Sequence, residues 1–150
     1  GIIYKADGKT PAPGVVLYIY HTDQAGYYSG KGNERGWGKR HGYIRSWVKT
    51  NAKGEYKFYT LRPAPYPGGN APAHIHPTIK EPGISDYWID EFVFEDDPQV
   101  TPDFRNKMPK RGGIGVIRLQ NKNGILQGHR DIILGLNVPD YPKENASIKK

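Results

Sequence analysis

The 150-residue chain contains no cysteine and only one methionine. The absence of cysteine excludes disulfide bonds, thiolate metal ligands and a cysteine nucleophile. It leaves the cellular compartment open, because a chain without thiols is indifferent to the surrounding redox potential. The sequence also lacks the run of about 20 apolar residues that a membrane-spanning helix needs. We therefore expect no membrane span.

Helical periodicity is equally scarce, since no apolar repeat extends beyond two turns. The chain is instead rich in turn formers, with 19 glycines and 13 prolines, and in tyrosine, with 11. Short β-prone runs recur at even spacing, which predicts an all-β, single-domain β-sandwich of about eight short strands with long loops. The predicted strands cover residues 1–4, 15–20, 43–50, 56–60, 73–79, 88–94, 114–119 and 130–136.

The predicted domain covers residues 1–138, followed by a polar tail over 139–150. The runs at 114–119 and 130–136 are interpreted as a terminal hairpin with a turn at Asn123-Gly124, and residues 100–111 are the one helix candidate. The first residues already have the pattern of a strand. We therefore expect sequence upstream of Gly1, where any export signal would lie, so the location could be cytoplasmic or exported.

The formal net charge is +7. Lysine and arginine are scattered along the chain, and the densest cluster, Lys107 to Arg111, lies among proline and glycine. This distribution favours a solvated basic surface that attracts a small anionic substrate, and it argues against nucleic acid as a partner. Whether the chain forms a homo-oligomer is left open.

The sharpest local motif is His74-Ile75-His76 within a predicted strand. Residues i and i+2 of a strand point to the same face, so the two imidazoles would converge as a pair of metal ligands. Two incidental histidines on a polar strand face are the alternative. Tyr66 lies eight residues earlier between two prolines that stiffen its backbone. A bound trivalent metal would deprotonate its phenol; an aromatic plug on a sheet edge is the alternative.

A third motif follows the first long strand, where Tyr27 and Tyr28 come directly after Gly26. Either tyrosine could return to the histidine pair, or both could be surface aromatics. Together these motifs give the chain a resemblance to the intradiol ring-cleavage dioxygenases, the group of catechol 1,2-dioxygenase and protocatechuate 3,4-dioxygenase. The resemblance runs from residue 1 to about 136 and is carried by 50–60, Pro63-Ala64-Pro65-Tyr66-Pro67, Pro72-Ala73-His74-Ile75-His76 and Phe94-Glu95-Asp96-Asp97-Pro98.

The resemblance implies one mononuclear Fe(III) ion on a transthyretin-like β-sandwich core, with the ligands Tyr28, Tyr66, His74 and His76. It implies an oxidoreductase that cleaves a small aromatic diol between its two hydroxylated carbons with O2 and yields a muconate-type diacid. In the family one tyrosinate leaves the metal and acts as a base. We expect Tyr66 to stay bound and Tyr28 to be the ligand that leaves. Tyr27 is one residue away from the position that matches the family.

Four residues are expected to border the substrate pocket. Ala71 stands where the family usually has an arginine that stabilises negative charge, and Glu91 stands where it usually has a glutamine. Arg45 lies where the family also carries an arginine, which suggests the hypothesis that it supplies the missing charge. Trp37 belongs to the long loop that could roof the pocket.

Two other interpretations remain. In a cupin-like protein the HxH pair would bind the metal together with Glu81. In a β-sandwich binding module for carbohydrate or protein, the metal site would be vestigial or repurposed. The sequence leaves open which catechol is accepted. It also leaves open whether an enzyme with Ala71 and Glu91 at these positions turns over its substrate.

Overall fold

A computed structural model of the chain describes residues 1–142. This part of the chain folds into ten short strands and two short helices. The strands are β1 (Ile3–Tyr4), β2 (Val16–His21), β3 (Arg45–Lys49), β4 (His74–Lys80), β5 (Tyr87–Trp88), β6 (Phe92–Phe94), β7 (Val116–Ile117), β8 (Gln120–Lys122), β9 (Ile125–Gln127) and β10 (Ile132–Ile133), and the helices are α1 (Trp37–His41) and α2 (Pro102–Lys107).

A six-stranded sheet forms the body of the molecule. Its strand order is β3-β2-β4-β6-β7, and β5 also pairs with β4. The long strands β2 and β4 run antiparallel, with Tyr20 opposite His76. Directly opposed residues share a face, so Tyr20 and His76 lie on one side of the sheet and the alternating residues of both strands lie on the other.

The core lies between this sheet and a smaller layer formed by β1 and β10, which pair in parallel. Leu17 of β2 and Ile79 of β4 are inaccessible to solvent and belong to the same apolar cluster as Ile3 and Ile132 of the smaller layer. Burial of such apolar side chains is the main force that holds the two layers together. The prediction of an all-β sandwich fold is confirmed.

One predicted strand was wrong. Residues 56–60 form no strand, although they are rich in β-prone residues. Tyr56 is buried and donates its hydroxyl to the carbonyl of Arg130 at 2.6 Å, and Phe58 packs edge-on against Phe92. The aromatic side chains anchor an extended segment into the core instead of pairing it with a neighbouring strand.

The predicted terminal hairpin was also wrong in its pairing. Strand β7 pairs in parallel with β6, and β10 pairs in parallel with β1. The Asn123-Gly124 turn does close a hairpin, but of β8 and β9. Both turn residues have positive φ (54° and 83°), as a two-residue hairpin turn requires. A local turn signal could locate this hairpin, whereas the long-range parallel pairings left no local signal.

The remaining elements are close to expectation. The run at 88–94 is divided between β5 and β6, because the intervening Asp90 is turned inward to accept backbone N–H groups. Helix α2 begins at Pro102 after the capping side chain of Thr101 and ends before Pro109. Within residues 1–142, no helix has the length and apolarity that crossing a membrane requires.

Candidate metal centre

Four donor atoms meet at the beginning of β4. The Tyr28 Oη atom lies 2.8 Å from Nε2 of His76, and the Tyr66 Oη atom lies 3.1 Å from Nε2 of His74 and 3.3 Å from Nε2 of His76. The two histidine Nε2 atoms are 3.0 Å apart, and the two phenol hydroxyls hydrogen-bond to each other. The structure thus brings two phenol oxygens and two imidazole nitrogens to one point.

The histidine pair is positioned by the strand and by one backbone contact. Alternation along β4 buries Ile75 and turns His74 and His76 to the opposite face. The Nδ1 atom of His74 lies 2.7 Å from the carbonyl oxygen of Pro72. A carbonyl can only accept, so His74 carries its proton on Nδ1 and presents a lone pair at Nε2.

The two tyrosines come from separate loops that are tied to the end of β2. The hydroxyl of Thr22 donates to the carbonyl of Ala64 at 2.7 Å, and the N–H of Ala64 donates to the carbonyl of Asp23 at 3.1 Å. The Asp23 carboxylate accepts the N–H of Tyr27 and the hydroxyl of Ser29, which fixes the turn that carries Tyr28.

Gly26 is the residue that lets these two loops approach each other. Its φ is +85°, and a Cβ atom at this position would overlap the backbone of Pro65. Only glycine combines this left-handed conformation with so close a backbone contact. The backbone conformation and the close contact therefore explain why the first residue of the Gly26-Tyr27-Tyr28 motif is glycine.

The electrostatics of the centre favour neutral groups while no metal is bound. Burial, then the neighbouring His74, lowers the pKa of His76 to about 3. Burial, then the Tyr66 hydroxyl, raises the pKa of Tyr28. At neutral pH His76 is thus an uncharged imidazole and Tyr28 an intact phenol.

A bound cation would deprotonate the phenol, because it stabilises the phenolate. Within the described part of the chain, no group of three or more histidine, aspartate or glutamate side chains could hold a metal ion. The two phenol oxygens and two imidazole nitrogens are a donor set that suits ferric iron.

The structure separates the two neighbouring tyrosines. Tyr28 lies in the cluster, whereas Tyr27 is 58% exposed. It also separates Glu81 from the histidine pair: the Glu81 carboxylate accepts hydroxyl groups from Tyr87 at 2.6 Å and Tyr141 at 2.9 Å. The third ligand of the cupin-like interpretation is thus engaged elsewhere.

A pocket of about 250 Å³ lies beside the donor cluster and shares His76 with it. The Glu91 carboxylate lies on its wall, 3.7 Å from Nδ1 of His76. Its other walls are mostly rings and apolar side chains, with one arginine, and comprise Tyr20, Pro77, Thr78, Trp88, Ile89, Asp90, Pro109 and Arg111.

The other three residues expected at the pocket are not among those that line it. Arg45 donates to the carbonyl of Gly42 at 2.5 Å and lines a separate groove of about 490 Å³ together with Trp47. Trp37 begins α1 and packs against Tyr18 of β2, and Ala71 is half-buried three residues before His74. The hydrogen bond to the carbonyl of Gly42 thus holds the Arg45 guanidinium at that separate groove.

Sequence reasoning missed three residues around the centre. Tyr20 stacks on His76 with 4.5 Å between ring centroids, and His41 stacks on Tyr20 at 3.7 Å. The alternation of side chains along β2 predicts the face on which Tyr20 lies. No pattern in the sequence predicts that His41 lies near the donor cluster. The sequence predicts Arg111 on a solvated basic surface, and the structure places it on the pocket wall. His21, 2% exposed, contacts the carbonyl of Thr22 and the Thr60 hydroxyl, so its role is structural.

Comparison with known proteins identifies the class. Residues 1–130 match a family model described as Dioxygenase. Over 121 residues the chain is 30% identical to catechol 1,2-dioxygenase 1 of Acinetobacter lwoffii, which covers 69% of this chain and 37% of that protein. The chain thus spans little more than a third of the length of this curated relative.

Solved structures agree on the fold. The dioxygenase domain of a dioxygenase carbohydrate-binding protein fusion from Streptomyces sp. SirexAA-E has a TM-score of 0.68 at 23% identity, covering 89% of this chain and 75% of that one. Chlorocatechol 1,2-dioxygenase from Pseudomonas putida has a TM-score of 0.64 at 20% identity, covering 89% and 57%. The chain therefore belongs to a dioxygenase family. That family is the intradiol ring-cleavage dioxygenases, as the motifs predicted.

Proposed function

We propose that this chain is a non-haem Fe(III) intradiol dioxygenase, which uses O2 to cleave a catechol-type ring between its hydroxylated carbons. The observation that carries the proposal is the meeting of Tyr28 Oη, Tyr66 Oη, His74 Nε2 and His76 Nε2 in a member of this family. These four atoms would hold the iron. Bound Fe(III) would supply a Lewis acid that chelates the diol and makes its ring reactive toward O2.

The chain's own residues divide the remaining work. His74 keeps its Nε2 lone pair available because the Pro72 carbonyl holds the proton on Nδ1. Tyr66 is held between Pro65 and Pro67, whereas no proline flanks Tyr28. Tyr28 is accordingly the better candidate to leave the metal, and its phenolate Oη would accept a proton from the incoming diol.

The pocket beside His76 suits a single aromatic ring. Its volume of about 250 Å³ is small, and the rings of Tyr20 and Trp88 and the apolar side chains of Pro77 and Ile89 lie on its walls. Aromatic walls bind a flat ring and displace water from it. The Glu91 carboxylate opposes the negative charge of a bound diol, which predicts weaker binding than a neutral residue would give.

The test is turnover with an isotopic label. The iron-loaded protein is supplied with catechol and ¹⁸O2, oxygen uptake is followed, and the product is identified by mass spectrometry. The proposal predicts a muconate diacid that contains both labelled atoms, and loss of uptake in Tyr66→Phe. A ring opened outside the two hydroxylated carbons would contradict it. Substrate binding without oxygen uptake would favour the binding-module interpretation.

A further inference from the structure

The two histidines of the donor cluster are supported in different ways. The Nδ1 atom of His74 lies 2.7 Å from the carbonyl oxygen of Pro72, and this hydrogen bond orients its ring. Within residues 1–142, Nδ1 of His76 has no hydrogen-bond partner, because Oε1 of Glu91 lies 3.7 Å away, which is too far. A metal-binding imidazole ordinarily donates its second N–H to a group that orients the ring. His76 therefore needs another source of orientation.

Two further rings continue the line of the His76 imidazole. The Tyr20 ring lies nearly parallel to it, with 4.5 Å between the ring centroids and 18° between the planes. The His41 imidazole lies on Tyr20 with 3.7 Å between centroids and 4° between planes. Among the described residues no ring contact joins His41 to His76, so Tyr20 lies between them. We call His76, Tyr20 and His41 the ring stack.

The ring stack is held by the main sheet and by α1. Tyr20 of β2 is directly opposite His76 of β4, so strand pairing brings the two rings together. His41 is the last residue of α1, and its Nδ1 atom lies 2.8 Å from the hydroxyl oxygen of Tyr18. The outer ring is therefore tied to the same strand that carries the middle one.

The ring of Tyr20, and not its hydroxyl, makes these contacts. In the part of the chain that the structure describes, the Tyr20 hydroxyl forms no hydrogen bond. An imidazole stacks on each face of the ring, and stacked aromatic pairs favour a defined relative orientation. A phenylalanine at this position would preserve both stacking contacts, whereas a leucine would preserve neither.

We propose that Tyr20 and His41 are positioning residues for His76, and that the ring stack aims its Nε2 atom at the metal in place of the hydrogen bond that Nδ1 lacks. This role rests on the proposed function, because it supposes that His76 binds the iron. Tyr20 supplies the flat surface on which the imidazole lies. His41 keeps the Tyr20 ring from turning away. Without a flat ring at position 20, the imidazole is free to turn about its Cβ–Cγ bond.

The first test measures how fast ferric iron leaves the loaded protein when excess chelator is added. Tyr20→Phe keeps the stack, so we expect release within about twofold of the unmodified protein. Tyr20→Leu removes it, and we expect release to be about tenfold faster or more, since losing a group that orients a metal ligand typically costs about 10- to 100-fold in affinity. His41→Ala should give an intermediate rate. Equal rates in Tyr20→Phe and Tyr20→Leu would overturn the proposal.

Tyr87→Leu is the matched control. It also truncates a half-buried strand tyrosine, but one that contacts Glu81 and Tyr141 and no residue of the donor cluster. Its iron should leave at the rate of the unmodified protein. Equal acceleration in Tyr87→Leu and Tyr20→Leu would show that both substitutions merely loosen the fold. Faster release in Glu91→Gln, with no change in Tyr20→Leu, would assign the support of the imidazole to the carboxylate. Either result would overturn the proposal.

The second test needs no metal and so separates this role from the proposed function. The imidazole C–H signals of His76 are followed by NMR in metal-free protein. We expect sharp signals from one ring orientation in the unmodified protein and in Tyr20→Phe, and signals broadened by exchange in Tyr20→Leu. Sharp signals in Tyr20→Leu would overturn the proposal.

The two tests together show which claim fails. A protein that holds iron with the expected release rates but does not cleave catechol would refute the proposed function and leave the role of the ring stack standing. If the protein holds no iron, the proposed function fails, and the NMR comparison alone decides whether the ring stack orients His76.

Discussion

The hydroxyl of Tyr28 lies 2.8 Å from Nε2 of His76, although 48 residues separate the two in sequence. The contact joins a loop that follows β2 to a strand that pairs with β2. The neighbouring strands β2 and β4 therefore fix both ends of the contact. Tyr28 is thus a structural part of the donor cluster.

The two adjacent tyrosines should respond differently to the same change. Tyr28→Phe removes one donor oxygen from the cluster, so we expect weaker retention of ferric iron and a marked loss of tyrosinate colour. Tyr27→Phe is the matched control, because its exposed ring lies outside the cluster. Iron content and visible absorption of both variants are the measurements. Equal losses in the two variants would contradict the assignment of Tyr28.

A second prediction concerns the buried imidazole of His21. Its Nε2 atom lies 2.7 Å from the hydroxyl of Thr60. Thr60→Val leaves that nitrogen unsatisfied, so we expect the free energy of unfolding to fall by about 1–3 kcal/mol. Urea unfolding measures the change, and Thr60→Ser is the control that keeps the hydroxyl. Iron content should stay the same, and its loss would mean that His21 belongs to the centre.

The third prediction concerns Glu91, whose carboxylate shares the pocket with the incoming diol. Glu91→Gln removes a half-exposed negative charge while it keeps the shape of the side chain. Because exposed charge pairs contribute at most about 1 kcal/mol, we expect catechol to bind about two- to fivefold more tightly. Anaerobic titration measures the dissociation constant, with Glu95→Gln as the control outside the pocket. Weaker binding in Glu91→Gln would indicate that the carboxylate supports His76 instead.

The fourth prediction is a pH dependence at the alkaline end. Burial, then the Glu81 carboxylate that accepts its hydroxyl, raises the pKa of Tyr87 above its ordinary value. Above about pH 10 the unfolded chain therefore loses this proton before the folded chain does, and the free energy of unfolding falls as pH rises. Below about pH 10 Tyr87 makes its full contribution to the free energy of unfolding, because its phenol stays protonated in both states.

Tyr87→Phe isolates this effect. Urea unfolding between pH 9 and pH 11 should show a shallower decline in the variant, by up to about 1.4 kcal/mol per pH unit for one proton. The same slope in both proteins would show that Tyr87 titrates normally in the fold.

The parts of the centre that follow a strand period could be predicted from the sequence. His74 and His76 face the same way because they are two residues apart in a strand, and the strand itself was indicated by its apolar and β-branched residues. Tyr66 was indicated by its flanking prolines. Tyr28 lies on an irregular loop, so only the likeness to a family distinguished it from Tyr27.

The parts that depend on long-range packing could not be predicted. The parallel pairing of β1 with β10 joins the two ends of the domain. No turn motif next to either strand predicts this pairing. Arg45 has the charge expected at the pocket, but the carbonyl of Gly42 holds its guanidinium in another groove. Arg111 lies at the pocket because Asp90, 21 residues away, binds its backbone.

The central claim is that two tyrosines and two histidines hold one ferric ion that binds a catechol. The most direct measurement is a visible absorption spectrum of the iron-loaded protein before and after catechol is added without oxygen. The account predicts a broad tyrosinate-to-iron band that moves to longer wavelength when catechol binds. A colourless protein that nevertheless contains one iron per chain would contradict it.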